Sequence, residues 1–224
     1  MNKDLTELVF ILDKSGSMAG LESDTIGGFN SMLNKQRDGE GECIITTVLF
    51  DHRYVLLHDR SDIKGVSPLS NKEYYVGGST ALLDAIGLTI NKISHAHKHI
   101  SEAYRPGKVM FVIMTDGYEN SSRRFLHKEI RALIKEHKER QGWEFIFLGA
   151  NIDAVSVAES FGINPDRAAD YVPDSVGTEL NFKVMTETVS AYRECGTLPI
   201  GCLDRIHSDM NARGGRGGRG GRQH

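Results

Sequence analysis

The feature that most constrains the fold is a short apolar segment that ends at an aspartate. Leu8–Leu12 read Leu-Val-Phe-Ile-Leu, and residues 13–17 (Asp-Lys-Ser-Gly-Ser) follow directly. A short apolar run bounded by polar residues is typical of a buried strand. In open α/β sheets, ligands bind just outside the carboxyl ends of the strands. The segment therefore predicts a buried strand that delivers one carboxylate and two hydroxyl groups to a binding site.

Two later segments carry matching oxygen-bearing side chains. Residues 77–80 (Gly-Gly-Ser-Thr) precede a helical pattern, and the apolar run Val109–Met114 is followed by residues 115–117 (Thr-Asp-Gly). Mg²⁺ prefers oxygen ligands in octahedral geometry and usually keeps some water. The candidate ligands are Asp13, Ser15, Ser17, Thr80 and Asp116. Spacing alone does not show that three distant segments meet, and the two aspartates also fit simple turn-capping roles.

Taken together, the three segments resemble the metal-ion-dependent adhesion site (MIDAS) of von Willebrand factor type A (VWA) domains. All five ligand positions hold the residue types of that family, and the resemblance covers roughly residues 5–194. It implies Mg²⁺ as the cofactor, with Mn²⁺ or Ca²⁺ as alternatives. It implies that Ser15 and Ser17 bind the metal directly and that Thr80 binds directly or through water. Asp13 and Asp116 are implied to act mainly through bridging water.

The same resemblance implies a function in recognition. A cation held chiefly by neutral hydroxyl groups keeps most of its charge and retains an exchangeable water, which a carboxylate can displace. The resemblance thus implies a non-enzymatic, Mg²⁺-dependent protein-interaction module whose unknown partner presents a Glu or Asp. Gly77 and Gly78 would allow the loop around Thr80 to shift.

Strand and helix patterns alternate through most of the chain. Strands are predicted at Glu7–Leu12, Cys43–Phe50, Tyr54–Leu57, Val109–Met114, Trp143–Leu148 and Arg167–Val172. Helices are predicted around residues 26–33, 80–104, 130–137 and 154–161, and from a cap at Ser175. This alternation predicts an α/β fold with a doubly wound, mostly parallel sheet and helices on both faces. The tight hairpin at residues 51–53 predicts one antiparallel edge strand.

The chain divides into a large domain and a short basic tail. At 224 residues it is long enough for one well-buried core. We assign residues 1–211 to the VWA-like domain and residues 212–224 to a disordered Arg-Gly-Gly tail, because a repeat without apolar side chains cannot offset its ordering entropy. The tail arginines are candidate nucleic-acid contacts, since arginine stacks on bases and pairs with phosphates. They are Arg213, Arg216, Arg219 and Arg222.

The two parts carry opposite charge. The whole chain has a net charge of −3, with 27 basic and 30 acidic residues. The four tail arginines are not accompanied by any acid, so residues 1–211 have 23 basic against 30 acidic residues, a net charge of −7. An RNA-binding or ribonucleoprotein component led by its tail is one alternative function. Because the body is acidic, RNA binding by the tail would be weak and auxiliary, and a tail that only solubilises the chain is the other interpretation.

Cellular location is predicted from what the chain contains. Cys43, Cys195 and Cys202 are sparse and lack paired metal-ligand spacing, so a disulfide framework is not expected. Leu8–Leu12 is too short for a membrane span or a signal-peptide core. We therefore expect a cytoplasmic protein without a membrane partner, which argues against extracellular adhesion.

A second alternative is an enzyme. An Asp after the first strand of an α/β sheet also begins the haloacid-dehalogenase-like, Mg²⁺-dependent phosphohydrolases. Those enzymes need a second Asp two residues later as the general acid. Ser15 stands at that position and cannot donate a proton at neutral pH, so no enzymatic activity is expected.

Several other polar residues receive simpler interpretations. His95 and His99 share one helix face at i,i+4 spacing, whereas His97 does not. This pattern indicates a solvated face, with a transition-metal pair as the alternative. Asp51 is interpreted as a hairpin residue, and Asp84 as an exposed helix residue or a partner of the metal ligands.

Overall fold

The structure, a computed structural model, describes residues 1–213. The strands are β1 (Asn2–Asp13), β2 (Glu42–Phe50), β3 (Tyr54–Asp62), β4 (Pro106–Asp116), β5 (Glu144–Ala150) and β6 (Ala168–Asp170). The α-helices are α1 (Glu22–Arg37), α2 (Leu82–Lys98), α3 (His127–Gln141), α4 (Ala154–Ser160), α5 (Ser175–Cys195) and α6 (Asp204–Arg213). Within residues 1–213, no helix combines the length and the apolar character needed to cross a bilayer.

All six strands form one sheet in the order β3-β2-β1-β4-β5-β6. Neighbouring strands are parallel except for β2 and β3, which pair antiparallel at one edge. The predicted α/β class, the mostly parallel sheet and the antiparallel edge strand are therefore confirmed.

The central strand β1 is covered on both faces. The side chain of Phe10 packs against Phe29 of α1, with the ring centroids 5.6 Å apart. Val9 belongs to the opposite layer, which also contains Ile86 of α2. A parallel strand buried on both faces needs apolar residues at every position. This requirement explains why the apolar run before Asp13 is uninterrupted.

Several predicted boundaries were wrong. The strand predicted at Tyr54–Leu57 extends to Asp62, and the one predicted at Arg167–Val172 is shorter, at Ala168–Asp170. The second helix ends at Lys98 instead of about Tyr104. The chain must leave the helix before Pro106, where β4 begins, and the carbonyl oxygen of Arg105 already accepts a hydrogen bond from the Asn2 N–H (2.7 Å). The helix α5 is capped by Asp174 instead of Ser175, since the Asp174 carboxylate accepts the Gly177 N–H (2.8 Å).

The helix α6 was not predicted from the sequence. Its only buried residue is Ile206, so its apolar pattern is weak. Ala212 and Arg213, which we assigned to the tail, are its last residues. Arg213 contributes to the end of the helix because its guanidinium pairs with Asp209 one turn earlier and with Asp174. The remaining tail arginines, Arg216, Arg219 and Arg222, lie outside the described residues.

All three cysteines are free. Cys43 is buried, Cys202 is half-buried and Cys195 is exposed. Burial raises the pKa of the Cys43 thiol to about 12, which keeps it protonated at neutral pH.

Candidate metal centre

The sheet brings the two predicted aspartates to one place. From β1 the chain passes to β2 on one side of the sheet, whereas β4 is followed by β5 on the other side. The strand order therefore reverses between β1 and β4, which is the position where open α/β sheets bind ligands. Asp13 is the last residue of β1 and Asp116 is the last residue of β4.

Asp13 connects the loops that follow these two strands. Its Oδ1 accepts a hydrogen bond from the Ser15 N–H (2.7 Å). Its Oδ2 accepts one from the Thr115 hydroxyl (2.7 Å) and a longer one from the Asp116 N–H (3.3 Å). Burial raises the pKa of Asp13 even though these hydrogen bonds favour the ionised form. The carboxylate is therefore held in place in an environment that disfavours its charge.

The two serines lie beside this carboxylate pair. The Oγ atoms of Ser15 and Ser17 are 3.0 Å apart, and the Ser17 hydroxyl donates to the backbone carbonyl of Asp116. Ser15 is buried, whereas Ser17 is exposed. Four of the five predicted ligands, Asp13, Ser15, Ser17 and Asp116, thus form one hydrogen-bonded group.

Backbone hydrogen bonds hold Thr80 next to the same loops. The Gly77 N–H donates to the carbonyl oxygen of Lys14 (2.9 Å). The Thr80 N–H donates to Oδ1 of Asn120 (2.9 Å), and the Asn120 N–H donates back to the Thr80 carbonyl (3.0 Å). Thr80 is therefore fixed between the loop after β1 and the loop after β4 by backbone contacts.

Sequence reasoning missed Asn151, which follows β5. Its Nδ2 donates to Oδ1 of Asp116 (2.5 Å), and its backbone is in the left-handed region (φ 55°). Burial raises the pKa of Asp116 despite this hydrogen bond. The available signal was its position, since Asn151 directly follows a buried strand of the same sheet.

Glu119 was also missed. Its carboxylate accepts the backbone N–H groups of Ser121 (2.8 Å) and Ser122 (2.6 Å) within its own loop. It also accepts the Leu83 N–H (2.9 Å) at the start of α2. Glu119 therefore joins the loop after β4 to the helix that follows Thr80.

The charge around the group suits a cation. Within residues 1–213, neither Asp13 nor Asp116 pairs with a basic side chain, and the neighbouring Lys14 instead contacts Asp51 (3.1 Å). Two buried carboxylates without a counter-charge are unfavourable, and a divalent cation would compensate them. Across the same residues, no three His, Cys, Asp or Glu side chains lie close enough to hold a metal. Hydroxyl groups would therefore have to supply most of the direct protein ligands.

The residue between the first two predicted ligands, Lys14, belongs to a buried ion pair. Lys14 is 1% exposed and Asp51 is 0% exposed. Nζ of Lys14 also lies 4.1 Å from the ring centroid of Tyr75, and Arg53 contacts Asp51 at 2.8 Å. Burial alone would raise the pKa of Asp51, but hydrogen bonds from Arg53 and Lys14 lower it to about 2. Asp51 is a hairpin residue, as interpreted, and it also anchors the loop after β1.

Asp84 and the histidines have structural contacts. Asp84 accepts the backbone N–H groups of residues 123, 124 and 125 at 2.9, 2.9 and 3.0 Å. The exposed rings of His95 and His99 lie 4.2 Å apart. His97 is buried, and its Nε2 lies 2.7 Å from Oε2 of Glu7. Among residues 1–213, these histidines form no metal cluster.

Solved structures with the same fold were found, although sequence comparison found nothing. No protein-family profile and no curated protein sequence matches the chain. The ArnB paralog VWA2 from Sulfolobus acidocaldarius matches with a TM-score of 0.53 at 16% identity, over 83% of this chain and 45% of that one. A von Willebrand factor type A protein from Catenulispora acidiphila matches with 0.54 at 14% identity, over 84% and 43%.

A third structure carries a metal. Proximal thread matrix protein 1 from the mussel byssus, with a zinc-occupied MIDAS motif, matches with a TM-score of 0.56 at 12% identity, over 85% of this chain and 47% of that one. The chain spans less than half the length of each of these three proteins. At such identities the similarity establishes the fold, and the chain has the fold of von Willebrand factor type A domains.

Proposed function

We propose that the chain is a protein-interaction module that captures a carboxylate of its partner through a bound Mg²⁺ ion. The observation that carries the proposal is the hydrogen-bonded group of Asp13, Ser15, Ser17 and Asp116 at the point where the strand order reverses. Its oxygen-only donor set suits a hard cation such as Mg²⁺.

Each side chain has a role in this proposal. Ser15 and Ser17 would hold the metal through their hydroxyl groups, and Thr80 would contribute from the neighbouring loop. Asp13 and Asp116 would compensate its charge. When bound, the cation would supply an electrophilic site for a Glu or Asp of the partner. No covalent step is involved.

The first test is a calorimetric titration of Mg²⁺ into metal-free protein. We expect Asp13→Ala to abolish Mg²⁺ binding, because Asp13 holds Ser15 and Asp116 in register. The variant should still fold, since the core rests on apolar strands. Loss of the acceptor for the Ser15 and Thr115 donors should lower the free energy of unfolding by about 1–3 kcal/mol. Circular dichroism and thermal unfolding measure this cost.

A milder variant and a matched control make the test decisive. Ser17→Ala removes one proposed direct ligand from an exposed position. It should weaken Mg²⁺ binding and lower the melting temperature less than Asp13→Ala does. Asp38→Ala removes an exposed aspartate that follows α1, away from the site, and should bind Mg²⁺ like the wild type. Wild-type Mg²⁺ affinity in both Asp13→Ala and Ser17→Ala would refute the assignment of the metal site.

The phosphohydrolase alternative is tested with the same preparation. The position two residues after Asp13 holds Ser15, whose hydroxyl is 3.0 Å from that of Ser17 and cannot act as a general acid at neutral pH. We expect no Mg²⁺-dependent release of nitrophenol from p-nitrophenyl phosphate above the rate of the Asp13→Ala variant. A clear Asp13-dependent rate would favour the enzyme.

A further inference from the structure

A cavity opens beside the proposed metal site. It has a volume of about 490 Å³ and lies between the β2–β3 hairpin and α2. One of its lining residues is Ala81, which follows Thr80. Another is His52, whose ring packs so closely on Gly78 that a methyl group there would overlap it. The cavity therefore adjoins the loop that carries the proposed ligand Thr80.

Basic side chains dominate the charged part of its wall. They are His52, Arg53, Lys92 and Arg124. The Arg53 side chain is 51% exposed and that of Lys92 is 32% exposed, so both charged groups remain accessible. Residues 1–211 carry a net charge of −7. The cavity, called the basic cavity below, is thus a region rich in basic side chains on a domain with a net negative charge.

The acidic side chains near the basic cavity already form hydrogen bonds or ion pairs with other groups. Asp84 lines it, but its two oxygens accept three backbone N–H groups. Lys92 pairs with Asp59 at 2.8 Å, and Asp51 is shared between Arg53 and Lys14.

The balance of charge around the basic cavity is positive. Within residues 1–213, Arg124 has no ion-pair partner. Counting Lys14 with Arg53, Lys92 and Arg124 sets four basic side chains against the three acids Asp51, Asp59 and Asp84. This excess of one positive charge suits an anionic ligand.

We propose that the basic cavity binds a second carboxylate of the partner, so that the partner presents an acidic peptide segment with at least two carboxylates. This inference rests on the proposed function, in which the first carboxylate binds at the metal site. Arginine and lysine form strong, charge-assisted hydrogen bonds with carboxylates. Arg53 is pre-oriented by its contacts with Asp51 through Nε (3.2 Å) and Nη2 (2.8 Å), which lowers the entropic cost of binding.

An acidic peptide fits the site better than a nucleic acid. A nucleic acid carries a charge on every phosphate along its length, and those outside the basic cavity would face a body with a net charge of −7. A cavity of about 490 Å³ holds a few side chains. A short segment with two or more carboxylates can reach both the metal site and the cavity without that repulsion.

The experiment measures binding of acetylated, amidated peptides of one, two and four glutamates to the full-length protein in Mg²⁺ at low salt. We expect the tetraglutamate peptide to bind at least about tenfold more tightly than the single glutamate, because each well-formed charge-assisted contact contributes that much or more. The gain should be lost in the double variant Lys92→Gln/Arg124→Gln and should decrease with salt. Arg123→Gln is the matched control, since Arg123 also donates its backbone N–H to Asp84 but does not line the cavity.

The outcomes separate this inference from the proposed function. If the single glutamate binds in a Mg²⁺-dependent manner and the longer peptides bind no more tightly, the proposed role of the basic cavity is wrong. The proposed metal site is not contradicted by that result. The same role would be contradicted if the tighter binding of tetraglutamate persists in the double variant, or if Arg123→Gln abolishes it equally. Tetraglutamate binding that needs Arg124 but is unaffected by chelator would support the cavity and refute the metal-dependent function. If a five-nucleotide RNA, with four phosphates, binds more tightly than the tetraglutamate peptide, the proposal of an acidic peptide as the ligand is wrong.

Discussion

At the scale of single residues, Asp13 and Thr80 have different kinds of contact. The Asp13 side chain itself joins two loops through three hydrogen bonds. Thr80, in contrast, is held through its backbone N–H and carbonyl by Asn120. Its hydroxyl group can therefore be removed without loss of these contacts, which makes Thr80 a suitable probe of partner capture.

We predict that Thr80→Ala keeps the fold and most of the Mg²⁺ affinity but weakens capture of a carboxylate. The resemblance to VWA domains implies that Thr80 binds the metal directly or through water. We expect the direct contact to form when the partner's carboxylate arrives, so loss of Thr80 should affect that state most. Mg²⁺ affinity and affinity for the acetylated single-glutamate peptide are measured on the same preparation. Ser79→Ala, one residue earlier, is the control and should behave like wild type. Equal peptide affinity in Thr80→Ala and wild type would exclude this role.

The buried pair of Lys14 and Asp51 predicts a pH dependence of stability. The pKa of Asp51 is lowered from 3.8 to about 2 in the folded protein. The unfolded chain therefore takes up this proton first, and the stabilisation by ionised Asp51 is lost as the pH falls from about 5 to about 2. Asp51→Asn leaves Lys14 buried without its charge partner and should cost about 3 kcal/mol or more at pH 7.

Urea unfolding at pH 7, 4 and 3 measures both effects. The difference between wild type and Asp51→Asn should shrink as the pH falls, because the unfolded wild type binds a proton at Asp51 that the folded protein does not bind until the pH approaches 2, and the variant lacks this group. Asp59→Asn breaks an exposed pair with Lys92 and should change stability by about 1 kcal/mol or less. A constant difference between wild type and Asp51→Asn from pH 7 to pH 3 would contradict the buried ion pair.

At the scale of elements, the loop before α2 depends on a residue without a side chain. Gly78 has a left-handed backbone (φ 77°), and its carbonyl oxygen accepts the Gly16 N–H (3.1 Å). Because a methyl group there would overlap the ring of His52, the hairpin and the metal site are coupled at this point.

We predict that Gly78→Ala destabilises the protein by about 1–3 kcal/mol through backbone strain and steric overlap. It should also weaken Mg²⁺ binding, since the loop that carries Thr80 must move. Adding His52→Ala to the Gly78→Ala variant should restore only the part of the stability that is lost through steric overlap. Gly65→Ala is the control, because no described atom lies within 4 Å of its added methyl group. Wild-type stability and Mg²⁺ affinity in Gly78→Ala would show that the loop is not coupled in this way.

At the scale of the whole molecule, the acidic body and the basic tail can be separated by experiment. Arg213 is paired with Asp174 and Asp209 in α6, so three tail arginines remain as RNA contacts. If Arg216, Arg219 and Arg222 each neutralise one phosphate, the logarithm of RNA affinity should fall with the logarithm of salt with a slope of about −2. Deleting residues 214–224 should remove nearly all RNA affinity, because the remaining residues 1–213, with 24 basic and 30 acidic residues, carry a net charge of −6 and repel phosphates. The deletion should leave Mg²⁺ affinity unchanged.

Fluorescence anisotropy with a single-stranded RNA at several salt concentrations measures this slope. Arg213→Gln in the full-length chain is the matched control and should change RNA affinity little, because Arg213 pairs with two carboxylates. RNA binding that survives the deletion, or that does not depend on salt, would exclude the tail as the electrostatic contact.

Much of the fold could be predicted because its information is local. The segments Leu8–Leu12 of β1 and Val109–Met114 of β4 are buried on both faces, so each is an apolar run that is visible without knowledge of its neighbours. The motif at residues 13–17 and its two companion segments led to the prediction of a VWA fold, and the similarity to solved VWA structures confirmed that fold. In contrast, α6 has one buried residue, Ile206, and its end is held by Asp174 from a distant segment, which a local pattern cannot reveal.

The sequence by itself determined which side chains are available to the candidate site, because strand ends and turn residues specify where the chain leaves the sheet. Only the tertiary structure decided what surrounds them. The hydrogen bond from Asn151 to Asp116 and the ion pair of Lys14 with Asp51 join residues at least 35 positions apart. The basic cavity likewise brings together the β2–β3 hairpin, α2 and Arg124. Such contacts depend on how the strands are ordered in the sheet, and that order is a property of the packed molecule.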